Sequence, residues 1–160
     1  MAKKKSKKSK GLLEQYGSFI ILLFTVLVVV SFFLQNAKIT TKYLGDLGEF
    51  TGMQLAFGYS EKVGSLSVAV LDFSIMALLA YVLPIAGLVL TFLFKDGGFI
   101  INIVTLACFV VGAVLLFMIP NFAVVGEKTI EGLSLGYGAI IGAIASILSA
   151  LVVAGKTFVK

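Results

Sequence analysis

Few side chains in this 160-residue chain have the chemistry of a catalytic or metal-binding group. The sequence contains no histidine, and Cys108 is its single cysteine. Without histidine the chain lacks the usual general base and metal ligand at neutral pH, and one cysteine excludes an intramolecular disulfide. No nucleophile is paired with a base at a recognisable spacing. We therefore expect a protein that is not an enzyme and that has no metal or cofactor site.

The polar residues of greatest interest lie inside long apolar stretches. Tyr81 is close to Pro84, and Asn102 and Thr105 lie in the next apolar stretch. Proline cannot donate a hydrogen bond to the carbonyl of Ala80, which predicts a kink. A tyrosine hydroxyl at mid-membrane depth needs a partner, for which we expect a freed carbonyl or Asn102. These residues are either a structural bend or the lining of a polar path.

The composition indicates an integral membrane protein. Hydrophobic residues make up 59% of the chain and charged residues 13%, against about 25% charged in a soluble domain. Four uncharged runs are 22 to 30 residues long, and a spanning helix needs about 20 apolar residues. We therefore predict an all-α transmembrane four-helix bundle, which forms a single domain over 17–160. The predicted spans are 17–34, 73–94, 99–119 and 136–155.

The lysines set the predicted orientation, because lysine is enriched in cytoplasmic segments. Six of the 13 lysines lie in the first ten residues. With the tail 1–16 in the cytoplasm, four spans return the carboxyl terminus to the same side, as expected for a multi-pass plasma-membrane protein. The turn 95–98 is then internal, and the loops 35–72 and 120–135 are external. We expect the basic tail to contact anionic lipid headgroups rather than nucleic acid.

The first external loop is long enough to carry structure of its own. Met53, Leu55, Phe57 and Tyr59 alternate with smaller or polar residues, which is the period of a strand. Residues 60–64 resemble a turn, and 65–68 alternate again. We therefore predict a small extracellular hairpin or sheet, to which 122–125 adds a strand. An irregular loop with its aromatic side chains in the membrane interface is the alternative.

Small residues mark the predicted packing faces of two spans. Close approach of helices in lipid depends on such residues. In the fourth span they recur at every fourth position, and in the second span they recur at alternating spacings of three and four. These faces serve either packing inside one bundle or a subunit interface in a homo-oligomer or larger complex. The residues concerned are Gly138, Gly142, Ser146, Ala150 and Ala154 in the fourth span, and Ala77, Ala80 and Gly87, together with Pro84, in the second.

The overall plan resembles the claudin-like tetraspan topology. It shares a basic internal tail, four spans, a long first external loop and a shorter second one. The claudin signature is missing, because the first external loop has no tryptophan and no cysteine pair. The segments 51–58 and 135–140 also look like those of small four-span proteins of Gram-positive bacteria and their wall-less relatives. This resemblance implies a plasma-membrane location and no particular chemistry.

Two functions follow as hypotheses. The first is a non-enzymatic structural or accessory subunit or scaffold, which associates through its helix faces and its external sheet. The second is a small channel or transporter with a polar path near Tyr81, Pro84 and Asn102. No ionisable residue lies at the centre of a predicted span, where such residues usually serve transport, so the first hypothesis is favoured.

Overall fold

A computed structural model of the chain describes residues 12–41, 45–63, 65–94, 98–125, 128–129 and 132–158. Four long helices dominate it, and all four are long and apolar enough to cross a membrane. They confirm the prediction of four long apolar helices. The helices are α1 (Leu12–Phe33), α3 (Ile75–Leu93), α4 (Phe99–Phe117) and α5 (Tyr137–Phe158), with the short helix α2 (Gly52–Phe57) between the first two.

The helices extend beyond some of the predicted limits. α1 begins at Leu12 rather than at residue 17, and α5 continues to Phe158 rather than ending at 155. Helices continue past the apolar core because backbone hydrogen bonds also form in the interfacial layer, where a lysine can place its charge in water. The basic tail up to residue 11 lies outside the described residues, as do residues 95–97 of the turn predicted at 95–98.

Short strands gather where α1 ends and α5 begins, which we call the sheet end. A three-stranded antiparallel sheet has the order β2-β1-β7, and two separate antiparallel hairpins are β3-β4 and β5-β6. A small sheet is therefore confirmed. The strands are β1 (Gln35–Thr41), β2 (Gly45–Thr51), β3 (Tyr59–Val63), β4 (Leu66–Leu71), β5 (Val124–Val125), β6 (Lys128–Thr129) and β7 (Leu133–Leu135).

The predicted strand from Met53 to Tyr59 is wrong for most of its length. Met53, Leu55 and Phe57 belong to α2, and only Tyr59 lies in a strand. Thr51 begins the helix with a capping box, because its hydroxyl accepts from the backbone N–H of Gln54 while the Gln54 side chain accepts from the backbone N–H of Thr51. Such reciprocal caps satisfy the free donors of a helix start.

The rest of the predicted hairpin is partly correct. The strand expected at 65–68 exists as β4, but residues 60–63, expected to turn, form its partner β3. The strand expected at 122–125 is limited to Val124–Val125 and pairs with β6, not with this hairpin. A backbone hydrogen bond connects the two hairpins, since the N–H of Asp72 donates to the carbonyl of Val124 at 2.8 Å.

Helices α3 and α4 interlock through two reciprocal notches. A Cβ added to Gly112 would lie 2.6 Å from Cδ of Pro84, and one added to Gly87 would lie 3.0 Å from Cε2 of Phe109. Each glycine therefore makes room for a bulky ring of the other helix. Pro84 and Phe109 are both fully buried. This is the close approach that small residues permit in membrane helices.

Side-chain contacts among the described residues also join the helices at the opposite end of the bundle. Lys156 near the end of α5 lies over Gly17, and its Nζ donates to the hydroxyl of Ser18 on α1 at 3.0 Å. Phe99 at the start of α4 meets Phe158 edge to face, with 5.9 Å between ring centroids. These contacts join α5 to α1 and to α4 beyond the apolar packing.

The notch at Gly112 generates a stability prediction. Gly112→Ala places a methyl group against the ring of Pro84, and overpacking costs about 1–3 kcal/mol, more than the roughly 1 kcal/mol that alanine gains over glycine in a helix. We expect a lower thermal midpoint in detergent, measured by circular dichroism. Gly98→Ala is the matched control, because a Cβ at Gly98 meets nothing within 4 Å. A Gly112→Ala protein as stable as the control would contradict this packing.

Candidate functional site: the junction of the first helix with the sheet

The small-residue face of α5 packs against α1 inside the chain. Gly138, Gly142, Ser146 and Ala150 are buried, whereas Ala154 is half-buried. A Cβ on Gly142 would lie 2.5 Å from Oγ of Ser31, so the two backbones approach closely there. The predicted residues of α3 are also interior, with Ala77, Ala80, Pro84 and Gly87 all buried. Within one chain these faces are therefore already covered.

Asn36 closes the carboxyl end of α1, a role that sequence reasoning missed. Its Nδ2 donates to the carbonyls of Ser31 and Leu34, both at 2.6 Å. The last carbonyls of a helix have no partner within that helix, and Asn36 supplies one from a fully buried position. The signal available in the sequence was an asparagine two residues after a long apolar run, a residue type that occurs at helix ends.

The backbone of Asn36 joins this helix end to α5. The N–H of Gly136 donates to the carbonyl of Asn36 at 2.9 Å, and the next residue begins α5. A Cβ on Gly136 would lie 2.5 Å from the carbonyl oxygen of Gln35, and one on Gly138 would lie 2.8 Å from the same atom. Both glycines are therefore required by the close passage of the chain. The junction thus links α1, β1 and α5 through backbone contacts.

Tyr81 lies against the other side of the same junction. Its ring meets Phe32 of α1 edge to face, with 4.8 Å between centroids. A Cβ on Gly52, the first residue of α2, would overlap the Tyr81 hydroxyl and would lie 2.9 Å from the carbonyl oxygen of Phe32. Tyr81 is 4% exposed, and its hydroxyl has no hydrogen-bond partner among the described residues.

Neither partner expected for the Tyr81 hydroxyl, a freed carbonyl or Asn102, forms a hydrogen bond with it in the described part of the chain. The register set by the two notches places Asn102 level with Phe94, which is roughly 20 Å along the axis from Tyr81 at a rise of 1.5 Å per residue. Tyr81 lies in the second turn of α3 near the sheet end, not at the centre of the span. Asn102 lies one turn into α4 at the opposite end. The three polar residues singled out in the sequence, Tyr81, Asn102 and Thr105, therefore do not form one cluster.

Most buried hydroxyls bind the backbone of their own helix. Thr25 donates to Ile21 and Thr105 to Ile101, each at 2.9 Å. Ser31 and Ser149 bond in the same way to carbonyls one turn earlier. Three buried side-chain atoms of the described residues have no partner, namely Asn36 Oδ1, Tyr81 Oη and Ser146 Oγ. Over the same part of the chain, no group of three or more His, Cys, Asp or Glu could hold a metal ion.

The cap at Asn36 generates a second stability prediction. Asn36→Ala removes the side-chain donor from the carbonyls of Ser31 and Leu34. The carbonyl of Ser31 keeps the backbone N–H of Leu34 at 3.1 Å, and each lost hydrogen bond costs about 0.5–1.5 kcal/mol. We expect a lower unfolding midpoint and faster amide exchange where β1 meets α5. Asn121→Ala is the matched control, because Asn121 is exposed. Equal midpoints for the two variants would show that the cap does not hold the junction.

The α5 face generates a third prediction, which separates bundle packing from oligomer assembly. Gly142→Leu forces a branched side chain against Ser31, and we expect loss of the folded chain itself. Gly98→Leu makes the same change in open space and should leave the fold intact. Size-exclusion chromatography with light scattering, beside circular dichroism, distinguishes the outcomes. A Gly142→Leu chain that stays folded and loses only its assembly would instead identify a subunit interface.

Comparison of the chain with protein-family models, with curated proteins and with solved structures finds no match. The four-helix plan and the junction described above therefore stand on this chain's own sequence and geometry.

Proposed function

We propose that this protein is a non-enzymatic, multi-pass plasma-membrane protein that acts as a structural or accessory subunit or scaffold. Both termini lie in the cytoplasm, and the sheet end faces outward. In this proposal the protein acts by associating with a second copy or with a larger membrane complex. The basic tail contacts anionic lipid headgroups on the cytoplasmic side.

The hydrogen bonds of the buried hydroxyls are the main support for this proposal. A solute path needs polar groups that face a common space and can exchange partners with the solute. Thr25, Ser31, Thr105 and Ser149 instead each donate to a carbonyl of their own helix. Such bonds satisfy a hydroxyl without any partner from outside. An interior of this kind supports a role in association rather than in transport.

The outer surface of the helices supports the membrane location. Large apolar side chains are exposed on all four long helices, for example Val26, Val89, Val104 and Leu151. In a soluble monomer, exposed apolar surface of this extent would cause aggregation. In a bilayer the same side chains contact acyl chains, which is why the bundle needs small residues inside and bulky residues outside.

The sheet end supplies a different kind of surface. Glu49 of β2, together with Glu61 and Lys62 of β3, is exposed there. The sheet is fixed to the bundle through Asn36 and Gly136, and the hydroxyl of Ser134 on β7 donates to the carbonyl of Lys38 on β1 at 3.1 Å. A polar surface held rigidly on a membrane bundle suits recognition of another protein, because little conformational entropy is lost on binding.

The channel or transporter remains the second candidate. The observation in its favour is the set of buried polar atoms without partners, Tyr81 Oη and Ser146 Oγ among them. The separation of Tyr81 from Asn102 by roughly 20 Å weighs against a path formed by the residues near Pro84.

Purification in native nanodiscs with mass spectrometry of the co-purifying chains tests the proposal. We expect a second chain in fixed ratio or a defined oligomer. Reversing the charge at the sheet end, in Glu49→Lys or Glu61→Lys, should weaken that association, because docking depends on charge complementarity. Gly98→Lys introduces the same side chain at the opposite end and should not. A single chain that carries ions across liposome membranes would overturn the proposal in favour of the channel.

A further inference from the structure

The short helix α2 exposes an apolar face that the bundle does not cover. Met53 and Phe57 are 49% and 56% exposed, although Gly52, Leu55 and Ala56 of the same helix are buried. Residues four apart lie on one side of a helix, so Met53 and Phe57 form a single outward ridge. We call this pair the α2 ridge.

The α2 ridge is held in place from both ends. The capping box of Thr51 and Gln54 fixes the start of the helix. At its end, the backbone N–H of Ser74 donates to the carbonyl of Ala56 at 3.0 Å, which fastens α2 to the start of α3. The ring of Phe57 also meets Phe32 of α1 edge to face at 6.2 Å. The outward position of the ridge is therefore part of the fold.

The neighbouring helices also expose apolar side chains where they meet the sheet end. Phe33 ends α1, and Ile75 and Met76 begin α3. All three are exposed, as is Phe73 just before α3. No charged residue lies within α2, whereas exposed Glu49 and Glu61 lie in the strands on either side of it. The change from charged strands to an apolar ridge is the pattern of a segment at the boundary of a bilayer.

We propose that α2 is an interfacial helix, and that Met53 and Phe57 enter the upper acyl region of the leaflet at the sheet end. The partner of this face is the lipid bilayer. The inference rests on the proposed membrane location and adds a contact outside the four spans. Apolar side chains of an interfacial helix are favoured at this depth because the boundary between headgroups and acyl chains removes them from water. On this basis α2 determines how deeply the sheet end enters the bilayer interface next to α1 and α3.

Tryptophan fluorescence tests this directly, because the chain contains no tryptophan of its own. Three single variants, Phe57→Trp, Glu61→Trp and Val89→Trp, are each reconstituted in phosphatidylcholine vesicles. Glu61 is the control for a position in water at the same end of the bundle. Val89 is the control for the interior of the bilayer, since it is exposed on α3. Quenching is measured with aqueous acrylamide and with phosphatidylcholine brominated near the top or near the end of the acyl chain.

We expect Phe57→Trp to emit at shorter wavelength than Glu61→Trp, to be quenched by lipid brominated near the top of the chain, and to resist acrylamide. Strong acrylamide quenching of Phe57→Trp, equal to that of Glu61→Trp, would overturn the proposal. So would short-wavelength emission that no brominated lipid quenches, which would identify a covering protein such as a second copy. If brominated lipid does not quench Val89→Trp either, the proposed membrane location itself is contradicted. This outcome is distinct from a result that contradicts only the position of α2.

Discussion

The end of a helix at a membrane boundary must find partners for its last carbonyls, and the arrangement of this protein depends on how α1 meets that requirement. Asn36, two residues beyond the last apolar side chain of the run, donates from a buried position to the carbonyl of Ser31 in the last turn of α1 and to that of Leu34 just beyond the helix. In low dielectric such bonds are costly to leave unmade. The same residue accepts from Gly136, so one cap fixes both where α1 ends and where α5 begins.

The packing of the bundle depends on the close approach of helix backbones to one another. Where α1 and α5 approach, glycines at positions 136, 138 and 142 face backbone or short side chains. Where α3 and α4 approach, each helix offers a glycine to a ring of the other. Both arrangements obtain dispersion contacts without a hydrophobic drive between helices. They also leave the bulky side chains for the lipid-facing surface, which explains why the apolar residues of this chain differ in size from face to face.

The spans could be predicted because a charge in the bilayer core is costly, so charged residues bracket each helix in the sequence itself. The structure of the first external loop was harder to predict from the sequence. The spacing of Met53 and Phe57 fits a strand of period two and a helix, in which residues four apart share a face, equally well. The capping box of Thr51 and Gln54 stabilises the helix. Strands β1 and β2 carry little apolar alternation, so only pairing reveals them. Asn36 and the notch at Gly112 depend on neighbours distant in sequence, which no local pattern contains.

The contacts between helices also bear on what the protein can do. Alternating access requires helices that slide or rock between two packed arrangements. Sliding α3 along α4 would drive Pro84 and Phe109 out of their glycine notches onto larger side chains. Sliding α5 along α1 would break the Asn36–Gly136 bond at one end and the Lys156–Ser18 bond at the other. A bundle restrained at both ends and in the middle favours a fixed shape, and a fixed shape is what a scaffold presents to its partners and what holds α2 at one depth.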